Sequence, residues 1–435
     1  MDAAQAAGTG EGMDGQVTVL VASVEIPAHT LNATPFVARL VENGHRVLWY
    51  CDPAFHARAR RHGAQPISPS RPAPSAVRFD GLADIRSAFE TAFVGEAARR
   101  CGDLRAVIEA EGVDVLLTDS LAFGAGMAAE ACGIPWVSFG DGPLHYAERD
   151  TPPFGSGLPY VTGWPWDLRN LVVTGATRLV FARAARRLSR ARQGCGLPPG
   201  RGSVLTANLS PMLHLQGATS GFEYPRRHLP AHVRWVGALR PVDGSWSPPA
   251  AWRDRPERPV VLVSQGTIRD DVTELLAPTL VGLADLDVTV LATSGSASVE
   301  ALARACGGSV PDNAVVVPFA PYDAVLAEAD VFVTNGGYTG VTLALAHGVP
   351  LVHAGVTEEK ADIGARVRYS GTGVVLRTTR PTPADVRGAV TRVLGDSPER
   401  AAAHRIAEQM RAHDAGRDGA ALIAHLGLTR TIPAL

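Results

Sequence analysis

The feature that most constrains the fold is a regular alternation of short β-branched runs with longer segments of helical spacing. The first unit consists of QVTVLVAS (16–23), the helical segment TPFVARLVENG (34–44) and HRVLWYC (45–51). The helical segment ends on Asn43-Gly44, which is a usual stop signal. Two apolar strands joined by a helix predict a βαβ unit, and such units build parallel sheets that are buried on both faces.

The alternation occurs in two blocks, which a proline-rich stretch separates. Six prolines lie among Arg, Gly and Ser between 225 and 256, which is the composition of a linker. The strand and helix pattern restarts with RPVVLVSQG (258–266). We therefore predict an α/β protein with two doubly wound, Rossmann-like domains and a crevice between them. The expected order is a disordered tail (1–15), an N-terminal domain (16–225), a linker (226–257) and a C-terminal domain (258–435), whose last helix can pack back on the first domain.

Composition excludes several classes of protein. The chain has 435 residues, 46% of them hydrophobic, and a net charge of −2, which argues against wholesale disorder and against nucleic acid or an anionic membrane as the main partner. No apolar run is long enough to span a membrane, and the N-terminus lacks the basic start of a secretory signal. The five cysteines are scattered and predict neither a disulfide framework nor a zinc site: Cys51, Cys101, Cys132, Cys195 and Cys306. A cytoplasmic monomer or homodimer is expected.

The strongest candidate site lies between 330 and 362. There a buried strand leads into a glycine-rich turn and then a helix, an arrangement that can cradle a diphosphate with backbone N–H groups and the positive end of the helix dipole. The turn consists of Asn335, Gly336, Gly337, Tyr338, Thr339 and Gly340. The next strand ends just before Glu358, Glu359 and Lys360, which is the only lysine in the chain. A carboxylate beside an ammonium suits a sugar, although a plain glycine turn with solvated charges would give the same pattern.

Other candidates follow the ends of further strands. A second glycine turn ends the first strand of the C-terminal domain and offers hydroxyls and backbone donors to the same crevice; it consists of Ser264, Gln265, Gly266 and Thr267. The segment PFAPYDAVL (318–326) ends another strand and contains Phe319 and Ala320. Phe319 can stack on a planar base there, with ordinary core packing as the alternative. In the first block, His29 follows strand one and Asp119 ends the strand VDVLLTD. A His held by an Asp is a usual general base, but a capping His and a capping Asp remain the alternative.

These segments carry a family resemblance. The chain resembles the UDP-glycosyltransferase superfamily of GT-B fold, and in particular the bacterial natural-product glycosyltransferases of the macrolide type. PAHTLNATPFVARLVENGHRV (27–47) is similar to the family's N-terminal stretch, and TNGGYTGVTLALAHGVPLV (334–352) is similar to its phosphate-binding segment. The resemblance implies that His29 is the catalytic base and that Asp119 orients it. The chain differs from the family pattern in that Asn335 stands where the family usually has a phosphate-binding His, and Glu359-Lys360 stands where it usually has Asp-Gln.

The resemblance implies an inverting transfer of a sugar from a UDP or dTDP donor to a hydroxyl of an apolar natural product. The helix N-terminus would receive the charge of the leaving diphosphate, so neither a metal nor another cofactor is expected. An aromatic segment would wall the acceptor pocket or form a packed subdomain core, with Tyr146, Phe154, Trp164 and Trp166. The alternatives are a non-hydrolysing NDP-sugar epimerase of the same fold and a non-catalytic nucleotide-binding helper protein.

Overall fold

The computed structural model describes residues 15–72, 82–200, 202–242, 246–266, 269 and 271–432. The expected disordered tail, apart from Gly15, lies outside these residues. Within them, the strands are β1 (Thr18–Ala22), β2 (Arg46–Tyr50), β3 (Gln65–Ile67), β4 (Val115–Asp119), β5 (Trp136–Gly140), β6 (Leu213–Gln216), β7 (Val233–Trp235), β8 (Val260–Ser264), β9 (Thr289–Thr293), β10 (Ala314–Val317), β11 (Val331–Thr334), β12 (Leu351–His353) and β13 (Gly373–Val375).

The strands form two sheets in which all the described pairings are parallel. The first sheet has the order β3-β2-β1-β4-β5-β6-β7 and the second has the order β10-β9-β8-β11-β12-β13. In each sheet the order reverses beside the first strand, at β1/β4 and at β8/β11. Ligands of open α/β sheets bind outside the carboxyl ends of the strands at such switch points.

Helices cover both faces of each sheet. In the described residues they are α1 (Pro27–Asn32), α2 (Thr34–Glu42), α3 (His56–Arg61), α4 (Leu82–Ala88), α5 (Ala97–Glu111), α6 (Ala125–Cys132), α7 (Trp164–Val180), α8 (Ala182–Gly194), α9 (Ala250–Arg253), α10 (Leu276–Leu283), α11 (Val299–Ala305), α12 (Tyr322–Leu326), α13 (Tyr338–Ala346), α14 (Lys360–Ser370), α15 (Pro383–Val393), α16 (Pro398–Arg411) and α17 (Ala415–Thr429).

Alternation along β1 explains why its residues from Val19 to Ala22 are all apolar. Val19 and Val21 belong to a core on one face of the sheet, and Leu20 and Ala22 belong to a core on the other face. All four side chains are inaccessible to solvent. A strand with both faces buried has no position for a polar side chain, so it reads as a continuous apolar run.

The structure corrects two details of the expected organisation. The stretch 226–257 is not linker throughout, because β7 adds an edge strand to the first sheet. The helix expected over 84–111 is interrupted by a π-helical turn at Phe89–Phe93 and a 3₁₀ turn at Val94–Glu96. Such turns often mark functional sites, and this one directs two Phe rings toward a cavity described below.

The C-terminal helix crosses back to the first domain. α17 packs against α2, and its Ala420 and Ile423 join the core that contains β1. Gly419 permits the close approach, since a Cβ there would lie 2.3 Å from the ring of Phe36. Within the described residues, no helix combines the length and the apolarity that crossing a membrane requires.

Candidate functional site

His29 lies at the carboxyl edge of the first sheet, in α1, which directly follows the loop after β1. Its Nδ1 is 2.7 Å from Oδ2 of Asp141, and the two side chains are 19% and 3% exposed. Asp141 is the first residue after β5. The structure therefore pairs the predicted histidine with a carboxylate that the sequence analysis did not select.

Asp119, the predicted partner, makes no contact of this kind. Its Oδ2 accepts from the backbone N–H of Val24 at 2.6 Å, and its Oδ1 accepts from those of Leu121 and Ala122 at 2.6 and 2.9 Å. These bonds join the loop after β4 to the loop that leads to His29. The expectation that Asp119 holds the imidazole is wrong in its geometry: backbone donors occupy both oxygens, so Asp119 shapes the loops instead.

The pair gives His29 an unusual charge state. Burial alone would lower the pKa of His29, but the negative charge of Asp141, with smaller contributions from Asp119 and Glu359, raises this pKa to about 9. Burial would also raise the pKa of Asp141, but His29 outweighs it and lowers that pKa. His29 and Asp141 therefore form an ion pair at neutral pH.

A hydrogen-bonded asparagine connects this pair to the second domain. Asn32 Nδ2 lies 3.3 Å from Asp141 Oδ2 and donates to Oγ1 of Thr339 at 2.9 Å. Thr339 is the second residue of α13. The carboxylate beside His29 and the first turn of the glycine-rich segment are thus linked through one side chain.

The glycine-rich segment runs from β11 into α13, as the sequence predicted. Gly336 has φ 92°, and a Cβ there would lie 2.1 Å from Nε2 of the buried His353, so only glycine fits. Asn335 donates from Nδ2 to the carbonyl of Gln265 and so joins this turn to the turn after β8. The two turns that were predicted separately form one surface.

A cavity of about 210 Å³ lies over this surface and is called the glycine-turn cavity. Of the predicted residues, His29, Gln265, Gly266, Asn335, Gly337, Tyr338, Thr339, Gly340, Glu359 and Lys360 line it. Gly336 does not line it. Ser264 bonds to the hydroxyl of Tyr322 at 2.7 Å, and it is Tyr322 that reaches the cavity.

The remaining predicted nucleotide contacts have different positions. Phe319 is 56% exposed between β10 and α12, whereas Ala320 is buried in the core. Neither lines the glycine-turn cavity. Thr267 lies outside the described residues.

The acidic segment before α14 is buried rather than solvated. Lys360 Nζ is 2.7 Å from Oε2 of Glu358, and Arg269 is 3.1 Å from the other oxygen of the same carboxylate. Within the described residues, the side chain of Glu359 makes no ion pair or hydrogen bond with another residue, and it lines the glycine-turn cavity and a second one. Burial raises the pKa of Glu359. The predicted Glu359-Lys360 pair is therefore divided: Lys360 pairs with Glu358, and Glu359 points to the junction.

The second cavity, called the apolar cavity, has a volume of about 300 Å³. Most of its wall is hydrophobic, from Phe89, Phe93, Phe154, Val173, Val180 and Phe181. It meets the glycine-turn cavity at His29, Leu121, Asp141, Glu358 and Glu359. A small molecule in either cavity would therefore touch the same imidazole.

Of the four aromatic residues predicted for this wall, one lies there. Phe154 lines the apolar cavity, and its ring lies 4.0 Å from that of His145. Tyr146 instead bonds through its hydroxyl to His232 at 3.0 Å. Trp164 and Trp166 are 73% and 42% exposed, because α7 turns its residues from Val173 to Val180 toward the cavity and its first turn toward solvent.

Sequence reasoning missed Asp141 and Asn32, and it placed Glu358 in the acidic turn without its pairing to Lys360. A signal existed for Asp141, since it stands between two glycines directly after a strand beside β4. Asn32 gave no comparable signal, because its partner Thr339 is 307 positions away, and the pairing of Glu358 depends on the fold of the 357–360 turn. In the described residues, no three His, Cys, Asp or Glu side chains gather so that they could hold a metal ion.

Known proteins match the chain along nearly its whole length. It is 38% identical over 424 residues to 4'-demethylrebeccamycin synthase of Lentzea aerocolonigenes, a match that covers 94% of this chain and 99% of that protein. Residues 278–422 match the family described as erythromycin biosynthesis protein CIII-like, C-terminal domain.

Solved structures confirm the predicted two-domain fold. The glycosyltransferase of kitacinnamycin superposes with a TM-score of 0.72 at 23% identity, covering 96% of this chain and 99% of that one. The glycosyltransferase VinC, in complex with dTDP, superposes with a TM-score of 0.71 at 20% identity, covering 94% and 99%. At these identities the similarity shows a shared fold.

Proposed function

Because the chain belongs to the bacterial natural-product glycosyltransferases, we propose that it transfers a sugar, with inversion, from a UDP or dTDP donor to a hydroxyl of an apolar small molecule. The observation that carries this proposal is the meeting of two unlike cavities at His29. One is lined by many polar side chains and ends at a helix N-terminus, and the other is larger and is lined mainly by Phe, Val and other apolar side chains. Donor and acceptor need such different surroundings, with a base between them.

The proposed base is Nε2 of His29. Within the described residues this nitrogen has no hydrogen-bond partner, and Nδ1 faces Asp141. The neutral imidazole takes the proton of the acceptor hydroxyl while the oxygen attacks the anomeric carbon from the side opposite the leaving diphosphate. Attack from that side inverts the configuration. Asp141 stabilises the imidazolium that forms, which a carboxylate at 2.7 Å does well in a buried site.

The leaving group collects negative charge at the glycine-turn cavity. The first N–H groups of α13 and its positive dipole end face that charge, and this charge stabilisation supports a reaction that requires no metal. Lys360 adds a buried cation held by Glu358. Glu359 has a free carboxylate at the junction and can accept hydrogen bonds from sugar hydroxyls.

The apolar cavity favours a transferase over an epimerase of the same fold. An epimerase encloses one sugar between polar groups and has no use for a wall of Phe and Val beside its base. VinC was crystallised with dTDP, and the relative from Lentzea makes 4'-demethylrebeccamycin. Both facts support a nucleotide-sugar donor and a natural-product acceptor for this chain.

The test is a transfer assay with UDP-glucose and dTDP-glucose, each alone and with a panel of apolar acceptors that carry an aliphatic hydroxyl. We expect nucleoside diphosphate release that depends on the acceptor, persists in EDTA and gives a β-linked product by NMR from the α-linked donor. Release without acceptor followed by a changed sugar would favour the epimerase. Absence of turnover together with tight nucleotide binding would favour a helper protein.

A further inference from the structure

The loop that walls the apolar cavity is held by the opposite domain. Phe154, Gly155 and Ser156 line this cavity, which lies in the first domain. The backbone N–H groups of Gly155 and Gly157 both donate to the carboxylate of Asp362, the second of them at 2.6 Å. Asp362 belongs to α14 of the second domain and is 4% exposed. We call residues 154–157 the wall loop.

The local conformation of the wall loop is built for this contact. Gly155 and Gly157 have φ 84° and 59°, in the left-handed region that side chains avoid. In this conformation the amides of Gly155 and Gly157 turn toward one carboxylate, much as backbone amides do in the nests that bind anions. A Cβ on Gly157 would lie 2.7 Å from the Cβ of Ala361, so the loop also packs tightly on α14.

The same helix begins at the glycine-turn cavity. Lys360 is its first residue and lines that cavity, and Asp362 follows two positions later. Further along, Arg366 forms a buried ion pair with Glu223 at 2.8 Å and so anchors the helix to the first domain. A shift at the start of α14 therefore moves the anchor of the wall loop.

From these contacts we propose that Asp362 is a positioning residue for the acceptor, so that the nucleotide-sugar domain shapes the acceptor site. This inference rests on the proposed function. When a nucleotide orders the start of α14, Asp362 fixes the wall loop and completes the apolar cavity. Acceptor use is then set in part by a residue on the donor side of the crevice.

The experiment compares Asp362→Ala and Asp362→Asn with Asp396→Ala, which removes an exposed aspartate of the same domain. Hydrogen exchange of a peptide covering 154–158 is followed with and without UDP or dTDP. We expect exchange about tenfold faster in Asp362→Ala, because charge-assisted bonds protect two amides. In the wild type the nucleotide slows this exchange, and in Asp362→Ala it no longer does. Asp362→Asn falls between them, since one accepting oxygen remains.

Kinetics with the fastest acceptor of the transfer assay supply the second reading. The acceptor KM should rise about tenfold in Asp362→Ala, with the donor KM within twofold of wild type. Gly157→Ala perturbs the same contact from the other side and should show the same split. If Asp362→Ala does not fold, Asp362→Asn and Gly157→Ala decide the question.

Two results would overturn the proposal. One is wild-type exchange of the wall loop in folded Asp362 variants. The other is an equal rise of donor and acceptor KM, which a merely structural role of α14 would give. Exchange needs no turnover, so the inference is tested even if the wild type transfers no sugar. In that case the proposed function alone would fail.

Discussion

Replacing Asp141 by Asn should change the pH dependence of transfer more than it changes the fold. With a pKa of about 9, only about 1% of His29 is neutral at pH 7 in the free enzyme. The wild-type kcat/KM for the acceptor should therefore rise about tenfold per pH unit from 6.5 to 8.5 and level off above 9. In Asp141→Asn, the main contribution that raises the pKa is gone while burial remains, so the curve should be flat over this range.

Asp119→Asn is the matched control, because it neutralises the other buried carboxylate near His29. Asp119 contributes less to the pKa of His29 than Asp141 does. We expect its profile to keep the rise, with a midpoint only slightly lower. Its melting temperature should fall, since the amide NH₂ would meet a backbone N–H donor where Asp119 now accepts.

The assay uses saturating donor and an acceptor hydroxyl that does not titrate below about pH 11, with the melting temperature recorded at each pH. A flat wild-type profile, or an Asp141→Asn profile that rises as the wild type does, would refute the reasoning. In His29→Ala we expect a loss of about 10²–10⁴-fold above pH 9, where the wild-type base is neutral, and a smaller loss at lower pH, with donor binding retained.

The contribution of the His29–Asp141 pair to folding stability should also depend on pH. The pKa of His29 is higher in the folded protein than the ordinary 6.5, so the pair stabilises fully below pH 6.5 and loses its effect as pH rises through 9. The shift corresponds to roughly 3 kcal/mol at most. The difference in unfolding free energy between wild type and His29→Ala should shrink by about this amount from pH 6.5 to 9.

The remaining predictions concern the glycine-turn cavity. Lys360→Arg should lower kcat/KM for the donor despite keeping the charge, because the planar guanidinium does not fit the buried position of a compact ammonium. The control Arg368→Lys changes an exposed residue of the same helix and should leave kcat/KM unchanged. Wild-type kinetics in Lys360→Arg would contradict a role of Lys360 in donor binding. Gly336→Ala should destabilise the fold by its clash with His353, measured by melting temperature. Gly337→Ala meets no atom within 4 Å, so it should fold normally and raise only the donor KM; an equal melting loss in both would count against this geometry.

The sequence predicted the parts of the fold that depend on burial of both sheet faces. The runs VLVA (19–22) and VVLV (260–263) contain no polar residue, so β1 and β8 were evident. β3, β6, β7 and β13 were missed, because QPI, LHLQ, VRW and GVV are short and lack a long continuous apolar run. Their strand conformation comes from pairing with a neighbour that is distant in sequence, which local periodicity does not record.

For the site, the sequence predicted at which edge of the sheet the carboxylates lie, but not which carboxylate pairs with His29. Asp119 and Asp141 follow adjacent strands, so both reach the same edge. Which of them is free to hold His29 depends on backbone donors in two loops, and these donors occupy Asp119. Likewise the sequence correctly placed the lone lysine beside the cavity. Its pairing with Glu358, however, depends on the left-handed backbone conformation of Glu358, whose φ is 50°.

The contacts between the domains have a thermodynamic consequence for the order of binding. Asn32 ties the carboxylate beside His29 to Thr339, and Asp362 ties the wall loop to α14. Both links exist only when the two domains are in contact, so a donor that favours contact also completes the base and the acceptor wall. Linkage is reciprocal: the factor by which bound nucleotide strengthens acceptor binding must equal the factor by which acceptor strengthens nucleotide binding. Titration calorimetry of UDP with and without acceptor should therefore give a cooperative factor above one, and Asn32→Ala or Asp362→Ala should reduce it toward one. A factor of one in the wild type would mean that the contacts form equally without ligand and carry no coupling.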